Sequence, residues 1–201
     1  MKKCEVVPLE TSCIPAFPAD GGALPRGLVL RASTSSDRDF LLRVFESTRT
    51  AEFVSAGFDT DTIRSVLAQQ FAMQHEYYRR HYPEGRFDIV ADGPHQIGRL
   101  YHDWHDSREV RVIDIALLPE YRGAGIGARL MKTVVAEAAL RTLAVSLYVE
   151  RDNPVRGFYR RLGFAAIGEN GVYEQMRREA IPFDDREFEP VAGLTTGQRA
   201  A

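Results

Sequence analysis

The stretch Ile113-Asp114-Ile115-Ala116-Leu117-Leu118-Pro119-Glu120-Tyr121-Arg122-Gly123-Ala124-Gly125-Ile126-Gly127 decides how this chain folds. An apolar run with a single acid ends at Pro119, a short turn follows, and alternate glycines open a new segment. The run from Val110 to Leu118 reads as a central strand, because a strand covered on both faces is almost continuously apolar. Beyond it, Ile126, Leu130, Val134 and Ala138 recur at helical spacing, which predicts a helix from Gly123 to Leu140. A helix start has N–H groups without partners and the positive end of the macrodipole, and glycine lets a ligand approach the backbone closely. Together these make an anion site suited to phosphate. Arg122 adds a planar cation beside it. Gly123, Ala124, Gly125, Ile126, Gly127 and Ala128 are therefore candidate phosphate-binding residues.

Upstream, Leu28 to Ala32 reads as a first strand, and Phe40, Leu41, Val44 and Phe45 as the inner face of a helix. A second helix spans roughly Asp61 to His81, with a stripe of Ile63, Val66, Leu67, Phe71, Gln74, Tyr77 and Tyr78. Phe87 to Ala91 and Gln96 to His102 read as strands, with a reversal at Asp106-Ser107 before the central strand. Downstream come a strand from Leu143 to Val149, a short helix from Asn153 to Leu162, and short strands around Glu169-Asn170-Gly171. This order implies a mixed sheet with helices on both faces. Residues 1–27, dense in proline and glycine, read as an irregular arm, and 182–201 as a flexible tail, leaving one domain over 28–181.

Composition narrows the function. The chain has 201 residues and 44% hydrophobic content, enough for one substantial core. With 26 basic against 28 acidic residues it lacks the basic surplus of a dedicated nucleic-acid binder. No apolar run is long enough to span a bilayer. Acids and prolines interrupt the first twenty residues, so a secretory signal is not expected, and the default location is cytoplasmic. Cys4 and Cys13 are the only cysteines, which excludes a disulfide framework and a four-cysteine zinc site. No metal is expected.

Three phosphate-binding readings compete for the glycine loop. A P-loop needs Lys-Ser/Thr after its last glycine, and neither is present. A dinucleotide fingerprint fits Gly123-Ala124-Gly125-Ile126-Gly127-Ala128, with Glu150 as the ribose acid. Against it, Pro119 to Arg122 separates the glycines from the strand, and too little chain follows Glu150 to complete a doubly wound sheet.

The third reading is a family resemblance. Arg122-x-x-Gly125-x-Gly127 resembles the acetyl-CoA loop of the GNAT N-acetyltransferase superfamily, and Leu118-Pro119-Glu120-Tyr121-Arg122-Gly123 resembles that family's entry to the loop. The later segment from Val149 to Phe164, with Asn153 after a strand and Phe158-Tyr159 before Gly163-Phe164, is similar to its second motif. The resemblance covers roughly residues 28 to 178. It implies an α/β (α+β) fold with a mixed, mostly antiparallel sheet, helices on both faces and a splayed central strand pair.

The resemblance further implies acetyl transfer from acetyl-CoA to a primary amine on a small molecule or peptide, by direct attack in a ternary complex. The pyrophosphate would sit on residues 123 to 128 beside Arg122. The pantetheine arm would pair with Ile115, Ala116 and Leu117, with a contact from Asn153. A backbone N–H near Leu117 would polarise the thioester carbonyl. Tyr159 would protonate the departing thiolate. Most family members place seven positions between the asparagine and the tyrosine, whereas Asn153 and Tyr159 are six apart.

Two acids compete as general base. Glu109 stands where some family members carry a glutamate base. Asp114 is the lone acid of an apolar strand, a setting that tunes a carboxylate for proton transfer. An odd separation along a regular strand puts the two on opposite faces, and a bulge would change that. Each also has a bland reading, as a solvated hairpin residue and as a buried acid bound to backbone or arginine. Water is a third option.

His102-Asp103-Trp104-His105-Asp106 is expected as an exposed loop, and Thr50 to Thr60 as a loop shaping the acceptor site. The scaffold is compatible with a homodimer, although no sequence feature establishes one. Two alternatives stand beside the transferase: a non-catalytic acyl-CoA-binding module on the same fold, and a dinucleotide-dependent oxidoreductase.

Overall fold

A computed structural model describes residues 27–180. The expected arm and tail fall outside this span apart from Gly27, and so do both cysteines. The described chain runs β1 (Leu28–Ala32), α1 (Arg38–Glu46), α2 (Thr50–Ser55), α3 (Thr60–His81), β2 (Arg86–Asp92), β3 (His95–Asp103), β4 (Glu109–Leu117), α4 (Ile126–Leu140), β5 (Ala144–Glu150), α5 (Arg156–Arg161), β6 (Ala165–Asn170) and β7 (Tyr173–Arg178). The strands form one seven-stranded sheet in the order β1-β2-β3-β4-β5-β7-β6. Every pairing is antiparallel except β4 with β5.

Two apolar layers cover the sheet. On one face, Ile126, Leu130, Met131, Val134 and Ala138 of α4 meet Val110, Val112, Leu117 and Leu147. On the other, Phe40, Leu41, Val44 and Phe45 of α1 and Ile63, Leu67 and Phe71 of α3 meet Ile89, Tyr101 and Leu118. The helical spacings in the sequence thus mark the buried faces, except that Tyr77 of the α3 stripe is exposed, since an amphipathic helix gains most of its stability from covering a sheet. Asp59 caps α3 by accepting from the N–H groups of Asp61 and Thr62.

Three local expectations change. Thr50–Ser55 is a helix rather than a loop. The helix after the glycines starts at Ile126, because Gly123 (φ 78°) and Gly125 (φ 76°) adopt left-handed conformations that cannot continue an α-helix. Within the expected exposed loop, His102 and Trp104 are buried. Trp104 Nε1 donates to His102 Nδ1 at 2.6 Å, and His102 Nε2 faces Asp88 Oδ2 at 3.1 Å, so the polar groups satisfy one another inside the core.

Candidate functional site

The central strand carries a bulge. Tyr101 pairs with Asp114 and His102 with Val112, leaving Ile113 as the extra residue of β4. The packing records the same step. Val110 and Val112 face the α4 layer, while Ile113 and Ala116 face the α1/α3 layer. Glu109 and Asp114 therefore do not occupy opposite faces: the bulge turns both toward the α3 side, with Arg111 between them.

Next to the bulge the sheet opens. β4 and β5 pair only from Glu109 opposite Ala144 to Val112 opposite Leu147, after which the strands part. Leu118 N–H donates to the Ile97 carbonyl of β3 at 2.9 Å. Amide direction alternates along an antiparallel edge, so the N–H groups of Leu117 and Ile115 point into the gap toward β5. Gly98 makes the β3 side of this wall possible, because a Cβ there would run into the Ala116 carbonyl oxygen.

A cavity of about 720 Å³ occupies the gap and the space under α3. Asp114, Ile115, Ala116, Leu117, Arg122, Gly127, Asn153 and Tyr159 all line it. Glu109 does not; its carboxylate accepts from Ser146 Oγ at 2.9 Å and Arg111 Nη2 at 3.1 Å. Gly123, Ala124, Gly125 and Ala128 stand outside the lining, and the Ile126 side chain belongs to the core.

The helix start fits a phosphate group. No side chain caps α4, and none of its first-turn residues is acidic. At Gly127 a Cβ would meet nothing within 4 Å, which leaves an open cradle over the first turn. Arg122 is committed to the loop itself. Its Nε donates to the Leu117 carbonyl at 2.8 Å and its Nη2 to Ser47 Oγ at 2.9 Å, tying β4 and the glycine loop to the end of α1. Asn153 Oδ1 accepts from the Val155 N–H at 3.0 Å, so its carbonyl organises the turn into α5.

Tyr159 is 6% exposed, and among the described residues its hydroxyl has no hydrogen-bond partner. Burial, and then the negative charge of Asp114, pushes this phenol up to about 12. The hydroxyl is thus a protonated donor facing the same cavity as Asp114. Asp114 has a partner that the sequence reading did not name: Arg99 Nη2 donates to Asp114 Oδ2 at 2.7 Å and to Gln74 Oε1 at 3.3 Å. The signal was an arginine inside the apolar run Ile97 to Tyr101, and a glutamine within the stripe of α3.

Comparison with known proteins agrees with this geometry. The profile of the acetyltransferase (GNAT) family matches residues 52–164. The chain belongs to that family. Among solved structures, it is similar to the PaiA N-acetyltransferase of Thermoplasma acidophilum in complex with coenzyme A (19% identity, 76% of this chain and 98% of that one, TM-score 0.56). It is also similar to the spermidine N-acetyltransferase of Vibrio cholerae in complex with CoA and spermine (20% identity, 78% and 97%, TM-score 0.54). An acetyltransferase from Thermus thermophilus shares 20% identity over 76% of this chain and 96% of its own, with a TM-score of 0.54. At such identities the likeness is one of fold. A comparison with curated proteins gave no match. In GNAT terms the assignment is to an N-acetyltransferase, with the mixed sheet and parted central strands that the motifs implied. No helix among the described residues is long and apolar enough to cross a membrane.

Proposed function

We propose that this GNAT protein transfers an acetyl group from acetyl-CoA to a primary amine, with both substrates bound together. One observation carries the reading: the unpaired amides of β4, the uncapped start of α4, Asp114 and Tyr159 all border one opening in the sheet. When bound, acetyl-CoA supplies the acetyl group as a thioester. The first-turn amides around Gly127 hold its phosphates, while Ile115 and Leu117 offer strand-edge hydrogen bonds to its peptide-like arm. The Leu117 N–H faces the reacting carbonyl and stabilises negative charge there, an effect worth about 3 kcal/mol for a preorganised donor.

The remaining chemistry is proton traffic. The amine nitrogen forms the new C–N bond, the C–S bond breaks, and one proton must leave the nitrogen while another reaches sulfur. Tyr159 gives its proton to the departing sulfur. Of the two candidate acids only Asp114 reaches the cavity, and it takes the amine's proton directly or through water. Glu109, held by Ser146 and Arg111, is a positioning residue for the floor of the site.

Thermal unfolding with acetyl-CoA, CoA and NADH at equal concentration tests the donor site. A ligand at a hundred times its Kd adds about 2.7 kcal/mol of stability. A rise with both CoA ligands and none with NADH, followed by amine-dependent thiol release, is the expected result. A rise with NADH alone would replace the transferase with a dinucleotide enzyme. CoA binding without thiol release for any amine would make the chain a binding module.

A further inference from the structure

The cavity floor holds an unmatched hydrogen-bond donor. Arg111 lines the cavity, and its guanidinium lies over the Tyr148 ring, 5.0 Å from its centre, a cation–π contact that helps hold the fork in place. Its Nη2 donates to Glu109 Oε1 at 3.1 Å. Its Nη1 is buried and has no hydrogen-bond partner among the described residues. A buried donor left unmade costs the full desolvation of the group, so this nitrogen is a place where an acceptor oxygen binds with gain.

The local charge points the same way. Glu109 serves two guanidiniums, since Arg177 Nε lies 3.8 Å from its other oxygen. Arg177 also lies 3.5 Å from Glu179, but that carboxylate is 71% exposed and screened by water. Asp114 is already matched by Arg99 at 2.7 Å. Four arginines line the cavity against three carboxylates. Such a lining disfavours a chain carrying several positive charges and favours one that brings a negative group of its own. The Ile113 bulge sets the facing. It turns Arg111 and Asp114 to the same face of β4, three residues apart.

Resting on the acetyl-transfer reading above, we infer that the acceptor is an amine that also carries a carboxylate, of the amino-acid class, and that Arg111 selects it. The amine lies toward Asp114 and Tyr159. The carboxylate accepts from Arg111 Nη1, and the planar guanidinium discriminates it from an amide or a second ammonium group.

The test is thiol release from acetyl-CoA with three acceptor sets: the standard L-amino acids, the matching amino-acid amides, and spermidine. Wild type should prefer at least one acid over its amide by tenfold or more in kcat/KM. In Arg111→Gln that preference should fall to within about twofold, because KM for the acid rises far more than KM for the amide. Arg111→Lys, which keeps the charge but not the fork, should recover only part of it. A role confined to holding the floor would lower both substrates equally and leave their ratio intact, which would overturn the inference. Amides or spermidine used as well as the acids by wild type would also overturn it, and that arm needs no variant to fold. Turnover of no carboxylated amine overturns it whatever else is acetylated. Failure of wild type to bind acetyl-CoA strikes instead at the acetyl-transfer reading beneath it.

Discussion

Arg99 and Asp114 form an ion pair at 2.7 Å diagonally across the β3–β4 ladder, with the arginine side chain 2% exposed and the aspartate 13%. Asp114 lines the cavity where β4 leaves β5, so a carboxylate of the opening is held by a buried cation. Removing one partner of such a pair strands the other charge in a poor solvent.

Asp114→Asn should therefore cost about 3 kcal/mol of stability. The double variant Arg99→Met/Asp114→Asn should recover part of that loss, because the stranded guanidinium is gone. Urea denaturation of the two singles and the double measures the coupling. In the same proteins, Asp114→Asn should lower kcat far more than acetyl-CoA affinity.

Tyr159→Phe removes a hydroxyl with no partner among the described residues, so stability near neutral pH should change by less than about 0.5 kcal/mol. The kcat should fall about a hundredfold if the phenol is the proton donor. Stability at high pH gives an independent check. The folded phenol titrates near 12 against an ordinary 10.0, so the unfolded chain gives up this proton first. The contribution is complete below pH 10 and shrinks as pH rises toward 12. Tyr159→Phe should flatten that alkaline decline relative to wild type.

Gly127→Ala should separate folding from binding. Gly127 lies in the first turn of α4, outside the left-handed region, with empty space where a Cβ would stand. Alanine should raise the unfolding midpoint, by up to about 1 kcal/mol of stability, because it restricts the unfolded chain and favours helix. The added methyl occupies the cradle over the helix start, so affinity for CoA should drop tenfold or more by calorimetry. Unchanged affinity would remove the phosphate assignment.

Asp37 anchors the far side of the α1 layer. Arg31 bonds both its oxygens, at 2.6 and 2.8 Å, and Thr34 N–H and Gln96 Nε2 add donors at 2.7 and 2.8 Å. The Arg31 guanidinium, foremost among these, holds this carboxyl well below its ordinary 3.8. Its contribution is complete above that value and shrinks at lower pH, where the unfolded chain takes up the proton first. Asp37→Asn should cost about 2 kcal/mol near pH 6. The gap to wild type should narrow near pH 3, as read by urea denaturation.

Much of the site's backbone was legible because its causes are local. Alternate glycines after an apolar strand imply left-handed turns and an open helix start, whatever the rest of the chain does. The stripes of α1, α3 and α4 report burial through a period of 3.6. Arg122 was legible as a loop residue, but its partner Ser47 lies 75 residues away along the chain. Trp104 looked like loop because its neighbours are polar, and burial became favourable only once Asp88 of β2 met His102.

The choice between Glu109 and Asp114 shows where the sequence stopped. Along a regular strand they face opposite ways, and one extra residue at Ile113 reverses that. A bulge exists only against a partner strand, in this case β3, so its position is a property of the pairing and not of either segment. The same holds for the parting of β4 from β5, for the Arg99–Asp114 pair and for the orphaned nitrogen of Arg111. By itself the sequence determined most of the elements, their order, the main buried stripes and the GNAT motifs, because these follow from periodicity and backbone conformation. Tertiary structure alone decided which of the two candidate acids enters the cavity, what neutralises it and which guanidinium nitrogen of Arg111 is left without a partner, because charges and hydrogen bonds are settled between residues that only folding brings within about 3 to 4 Å.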